Sequence, residues 1–153
     1  MDKLQKNFSY EFNDIGLLKQ ALTHRSVSKN NNERLEFLGD SVLGCVVSEE
    51  LYRRYPLIDE GQLSRLRSHL VRGQTLANLA KTLNISESLT LGHGELKSGG
   101  FRRESILADA FEAILGAIFL DSDYLTVKNI ILELFVDLLN QARPEDSLKD
   151  FKT

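Results

Sequence analysis

Apolar residues recur at helical spacing along almost the whole of this 153-residue chain. Ile15, Leu18, Ala21 and Leu22 follow the polar pair Asn13-Asp14, which predicts a short helix with those four side chains turned inward. Leu35, Leu38, Val42 and Val46 form the inward stripe of a long helix. Asn31 or Asn32 can cap it, and Pro56 stops it near Tyr55. Gln62 to about Leu83 repeats the pattern, with Gly73 predicting a break or bend inside it. The four glycines within 92–100 predict the one clear loop. Two further helices are expected over about Arg103–Leu120 and Leu125–Gln141. No period-2 alternation lasts more than four residues, so the expected fold is all-α, without internal repeats.

Composition narrows the class. Hydrophobic residues make up 42% and charged residues 27%, which excludes a disordered or fibrous chain. A net charge of −3 excludes a uniformly basic nucleic-acid binder but not a basic face. Charge is partitioned along the chain: residues 1–30, 31–61, 62–103 and 104–153 carry +2, −4, +5 and −6. Two acidic blocks around a basic one suit metal ions on the first and a polyanion on the second, although segments of this size also vary by chance. Cys45 stands alone, so no intramolecular disulfide is expected. Met1 to Lys6 resembles no signal peptide, and the apolar run from Ala113 to Leu120 is too short to span a bilayer. The expectation is a soluble, cytoplasmic single domain with no membrane partner.

The acidic positions carry the chemistry. With Glu36 at zero and about 100° per residue, Asp40 falls near 40° and Glu33 near 60°, on one face of the long helix and away from its core stripe. Acidic residues in a first turn also favour the helix dipole, which explains Glu33 and Glu36 without any ligand. Asp40 fits that explanation poorly, being further in and a poor helix former. The run Ile106 to Leu115 is apolar except for Asp109 and Glu112, three residues apart on one face. Burying such groups without a partner costs several kcal/mol. Arg or Lys could be the partner. A hard divalent cation such as Mg²⁺ is the better match for oxygens converging from two helices.

Rival sites fail on inspection. None of His24, His69 or His93 follows a Glu by three, as a di-iron bundle requires, and one Cys with three scattered His is too few for zinc. Ser41 of Gly39-Asp40-Ser41 falls inside a predicted helix rather than on a nucleophile elbow. The glycine loop lacks the Gly-Lys-Ser/Thr ending of a phosphate-binding loop.

The segment Asn32-Glu33-Arg34-Leu35-Glu36-Phe37-Leu38-Gly39-Asp40-Ser41 resembles the signature of ribonuclease III, the double-stranded-RNA endonucleases. Ala21 to Ser26, Asp59 to Arg65, Gly94 to Gly100 and Arg102 to Asp109 resemble the bacterial catalytic domain in order and spacing. The resemblance implies that fold as a homodimer. It also implies an Mg²⁺-dependent cut (Mn²⁺ substituting) that leaves 5′-phosphate and 3′-hydroxyl ends in rRNA precursors and other transcripts. It places metal and catalytic carboxylates on Glu36, Asp40, Asp109 and Glu112, with Asp40 and Glu112 catalytic and Glu33 and Glu60 as accessory acidic positions. A two-metal hydrolysis holds its ions about 4 Å apart, and Glu112 is the expected bridge.

Two cuts, one per strand, call for two sites in a symmetric dimer. Phe37 lies off the core stripe and, by the resemblance, enters a pocket of the second subunit; ordinary core packing is the alternative. Lys97, Arg102 and Arg103 are the expected RNA contacts, while Arg65 and Arg67 could equally balance the acidic face. A non-catalytic RNA-binding member of the fold is the competing class, and it need not keep the metal ligands. The expected division is a catalytic domain over 1–143, then a linker and the start of an absent double-stranded-RNA-binding domain over 144–153. A naturally short relative of the mini-ribonuclease III type is the alternative.

Overall fold

The structure is a computed structural model that describes residues 1–144. The linker expected over 144–153 lies, apart from Pro144, outside the described residues. Helices α1 (Asp2–Phe8), α2 (Ile15–Ala21), α3 (Glu33–Arg54), α4 (Glu60–Val71) and α5 (Gly73–Thr82) make up the first half. Helices α6 (His93–Lys97), α7 (Glu104–Asp121), α8 (Tyr124–Leu134) and α9 (Val136–Gln141) complete it, with 3₁₀ turns at Ile85–Ser88 and Gly100–Arg102. No strand forms among the described residues; Thr23 and Thr90 make one isolated parallel bridge. The fold is all-α.

Helix starts follow side-chain chemistry. Asp14, Asp59 and Asp123 accept from the backbone N–H of Gly16, Gln62 and Thr126, satisfying donors that a helix start leaves orphaned. At α3 the two asparagines divide the work. Asn31 accepts from the Glu33 N–H, whereas Asn32 is buried and donates to the Ala21 carbonyl, tying α3 to the end of α2.

Helix α7 is the axis of the molecule. Every residue from Ala110 to Ile118 is buried, and a helix apolar all round can be stable only inside a ring of others. Helices α2, α3, α5 and α8 supply that ring. The N-terminal segment is stapled to its far end: the Asp121 carboxylate accepts from Tyr10 Oη and from the N–H groups of Asn13 and Asp14.

Several expectations are corrected. The 92–100 segment contains the one-turn helix α6 rather than loop alone, because Gly92 leaves the Leu96 N–H a carbonyl to bond. The helix expected over Leu125–Gln141 divides at Phe135, whose buried ring anchors the junction of α8 and α9. The bend near Gly73 is made by Arg72, whose extended backbone separates α4 from α5. Ile15 is exposed and Leu38 only half-buried, since the core side of α3 centres on Leu35, Val42, Leu43, Val46 and Val47. Among the described residues no helix is long and apolar enough to cross a membrane.

Candidate metal centre

The site begins with two glycines. A Cβ added at Gly39 of α3 would collide with the Glu112 carbonyl of α7, and one added at Gly116 would collide with the Leu35 carbonyl. The two helices therefore cross backbone against backbone, closer than any side chain allows. Glu36 and Asp40 flank Gly39, while Glu112 precedes Gly116 by one turn. The crossing alone turns two acidic faces toward each other.

Carboxylate oxygens of Glu36, Asp109 and Glu112 lie within 4.8 Å of one another. Glu112 is 6% exposed, Glu36 half-buried, and Asp109 and Asp40 open to solvent. Burial pushes the Glu112 carboxyl up to about 9, helped by a hydrogen bond with Asp40 and by the charges of Asp40, Glu36 and Asp109. Glu36 is raised by burial and by Asp109 and Asp40, while its hydrogen bond with Glu112 acts the other way. Asp109 is raised by burial, against the positive field of Arg25 and His24. Without a cation, burial and the neighbouring negative charges favour the protonated form of Glu112.

No ion pair among the described residues reaches Glu36, Asp109 or Glu112. The lysine or arginine partner that the sequence left open does not pair with these three carboxylates among the described residues. An all-oxygen set around one buried carboxyl with no cationic partner among the described residues fits a hard divalent cation, which would displace the proton that burial favours on Glu112.

The remaining candidate residues are dispersed. Glu33 sits at the edge of the cluster, its carboxylate 3.9 Å from Arg25, and its charge reaches Glu36. Glu60 opens α4 and accepts from Ser64 Oγ; it is not among the groups that perturb the cluster. Lys97 ends α6 in solvent. Arg102 stacks over the Phe101 ring at 5.0 Å. Arg103 is committed to Glu95, 3.3 Å away, and donates to Ser98 Oγ. Arg67 donates to Ser48 Oγ of α3. Phe37 is 73% exposed, so core packing is not its role. It forms part of the wall of a hollow of about 750 Å³, with Leu17, Leu35, Leu38 and Leu120 and the polar Gln20, Glu33 and Arg34.

Two groups of positions escaped the sequence reading. Gly39 and Gly116 interrupt helices at a cost of about 1 kcal/mol each relative to Ala, a signal that a partner backbone approaches there. His24 and Arg25 fall in the segment Ala21 to Ser26 that carries the resemblance, but no role was read for them, because their proximity to Asp109 is a tertiary fact.

The family described as Ribonuclease-III-like matches residues 14–139. Ribonuclease 3 of Proteus mirabilis (strain HI4320) is 57% identical over 153 residues, all of this chain and 68% of that protein. The nuclease domain of ribonuclease III from Campylobacter jejuni superposes with a TM-score of 0.88 at 43% identity, covering 94% of this chain and 98% of that one. A second structure of that nuclease domain, described for flexibility in a region involved in dimer formation, gives 0.85 at 46% identity and covers 87% and 94%. Dicer from Pichia stipitis gives 0.66 at 29% identity, covering 84% of this chain and 57% of that one. Sequence identity along the full chain and a shared fold lead to one assignment: the chain belongs to the ribonuclease III family and is an endoribonuclease.

Proposed function

We propose that this chain cleaves double-stranded RNA as a homodimer, using Mg²⁺ or Mn²⁺ held by Glu36, Asp40, Asp109 and Glu112, with residues 1–143 as the catalytic unit. The observation that carries the reading is Glu112, buried without a cationic partner among three other carboxylates at the α3–α7 crossing. Bound divalent cations supply charge stabilisation for the phosphoryl transition state and a more acidic water. Glu112, with its carboxylate oxygen within 4.8 Å of those of Glu36 and Asp109 and under the charge of Asp40, would be the central group in holding the cations. Asp40, on the open side, orients the attacking water for in-line displacement of the 3′-oxygen, leaving a 5′-phosphate and a 3′-hydroxyl. Glu33 adds negative field to Glu36, and Glu60, at the start of α4, is the outer accessory acidic position. Lys97 is exposed to meet phosphates, Arg102 offers its guanidinium from its place over the Phe101 ring, and Arg103 must first exchange Glu95 for one.

Each strand of a duplex needs its own cut, and a two-fold dimer supplies two equal sites. The exposed Phe37 ring, on the wall of a hollow that also presents Leu17, Leu38 and Leu120, is the surface through which a second copy would pack. Precursor rRNA and other base-paired transcripts are the substrate class.

The test is Glu112→Gln, which keeps volume and removes the charge. Cleavage of a duplex RNA in Mg²⁺ is expected to fall by at least about 100-fold, with an unchanged circular dichroism spectrum. Cleavage at the parent rate would overturn the metal assignment. A parent that binds duplex RNA but never cuts it would favour the non-catalytic reading.

A further inference from the structure

The segment that follows α2 is held with unusual care for a surface turn. His24 N–H bonds the Thr90 carbonyl and Thr90 N–H bonds the Leu22 carbonyl, which forms the isolated bridge. Ser26 then closes a clamp: its Oγ accepts from Gly92 N–H at 2.7 Å and lies 2.8 Å from His24 Nδ1, which in turn accepts from Ser26 N–H. Gly92 is required there, because a Cβ would run into the Ser26 backbone. The clamp joins the turn at 23–27 to the strand of chain that leads into α6 and its cations.

What the clamp displays is Arg25. Its side chain is 72% exposed, at the rim of the acidic cluster, 3.9 Å from Glu33. An exposed pair at that distance contributes little to stability, so the fold gains almost nothing from holding an arginine there. Its field nonetheless reaches Asp109. A cation at the edge of the carboxylates, beside Glu33 and within reach of Asp109, loses local counter-charge once divalent ions neutralise the cluster. A polyanion arriving at the loaded site then becomes the better partner, and a guanidinium fork suits phosphate oxygens. Because the backbone under Arg25 is already pinned, little ordering is left to lose on binding.

Building on the proposed RNA cleavage, we propose that Arg25 is a phosphate-contact residue of the cleavage site, exchanging Glu33 for a backbone phosphate of the RNA strand, and that Ser26 positions it through the clamp to Gly92.

The experiment measures duplex-RNA binding by fluorescence anisotropy in the Glu112→Gln background with Mg²⁺ across a salt series. It also measures kcat and KM for cleavage in the parent background. Arg25→Ala is expected to weaken binding by about tenfold and to lower the salt slope by about one. In cleavage it raises KM more than it lowers kcat. Arg25→Lys restores the salt slope but only part of the affinity. Ser26→Ala is expected to weaken binding in the same direction while keeping the melting temperature within a few degrees. Unchanged affinity and salt slope in Arg25→Ala, with the parent still cutting duplex RNA, would overturn this inference and leave the proposed activity standing. A loss in Ser26→Ala that tracks only a fall in melting temperature would reduce Ser26 to a structural role. A parent that neither binds nor cuts duplex RNA would overturn both.

Discussion

The two faces of α3 are built on opposite terms. The face toward α7 is complete within the chain: Gly39 lets the backbones touch, and Leu35, Val42 and Val46 are buried around it. The outward face is unfinished. Phe37 and Tyr52 stand 73% and 72% exposed, with the small residues Ser41, Gly44, Cys45 and Ser48 between them. Only 40° or so of helix rotation separates the carboxylates from this outer face. The contrast teaches that the carboxylate geometry is set inside one copy, where close packing permits no slack, while the outer face, the proposed dimer surface, is left exposed.

The largest expected effect strikes the inner face through its charge. In the metal-free protein Glu112 stays protonated up to about pH 9, whereas in the unfolded chain it ionises near its ordinary value of 4.5. Between those limits the folded state holds a proton that the unfolded state has lost, so stability must fall as pH rises. Glu36 and Asp109 are raised as well and act in the same direction. Glu49, Asp121 and Asp123 are lowered, and their contribution is lost only in acid. A metal-free melting series in EDTA is expected to drop by roughly 10 °C from pH 5 to pH 9. Millimolar Mg²⁺, or Glu112→Gln, should flatten it. A flat EDTA series would show that the cluster carries no strain for a cation to relieve.

Next comes the contact itself. Gly39→Ala pushes a methyl into the Glu112 carbonyl, where no side chain can yield. Overpacking of this kind costs about 2–3 kcal/mol, or roughly 5–10 °C in melting temperature. Spreading of the carboxylates should also weaken Mn²⁺ binding, measured by calorimetry. Parent-like stability and metal affinity would mean that the helices cross with more freedom than the structure gives them. By contrast, Gly44 on the outer face has open space around it, so Gly44→Ala serves as the matched control within α3.

The smallest effect on the fold belongs to Phe37→Asp. Sedimentation of the parent is expected to give about twice the 17.3 kDa chain mass, and the variant should shift to the monomer. Removing a central aromatic anchor costs an interface about 2 kcal/mol or more, near 30-fold in dissociation constant. Its melting temperature at monomer concentrations should match the parent's. A monomeric parent at micromolar concentration would break the comparison, since both faces of α3 would then be finished in one copy.

Much of this was legible in the chain. Periodicity alone determined the long helix ending before Pro56, the apolar helix around Ile106 to Leu115, and the all-α class, because burial of one stripe is a local requirement that each segment must meet for itself. The same reasoning put Glu33, Glu36 and Asp40 on one face, and Asp109 with Glu112 on another. It also set Phe37 apart from the core stripe. The tertiary structure decided what those faces meet. The approach of α3 to α7 depends on two glycines 77 residues apart, and no local pattern says that they touch. The same holds for Glu112, whose burial and raised pKa come from neighbours on another helix. Arg25 is a surface arginine in sequence, and only the tertiary structure brings its charge within reach of Asp109. The division of α8 from α9 at Phe135 is likewise a packing outcome, since a ring buried against Phe111 outweighs a continuous helical pattern. Local patterns set which side chains share a surface; long-range packing set the distances, and with them the charge state on which the chemistry depends.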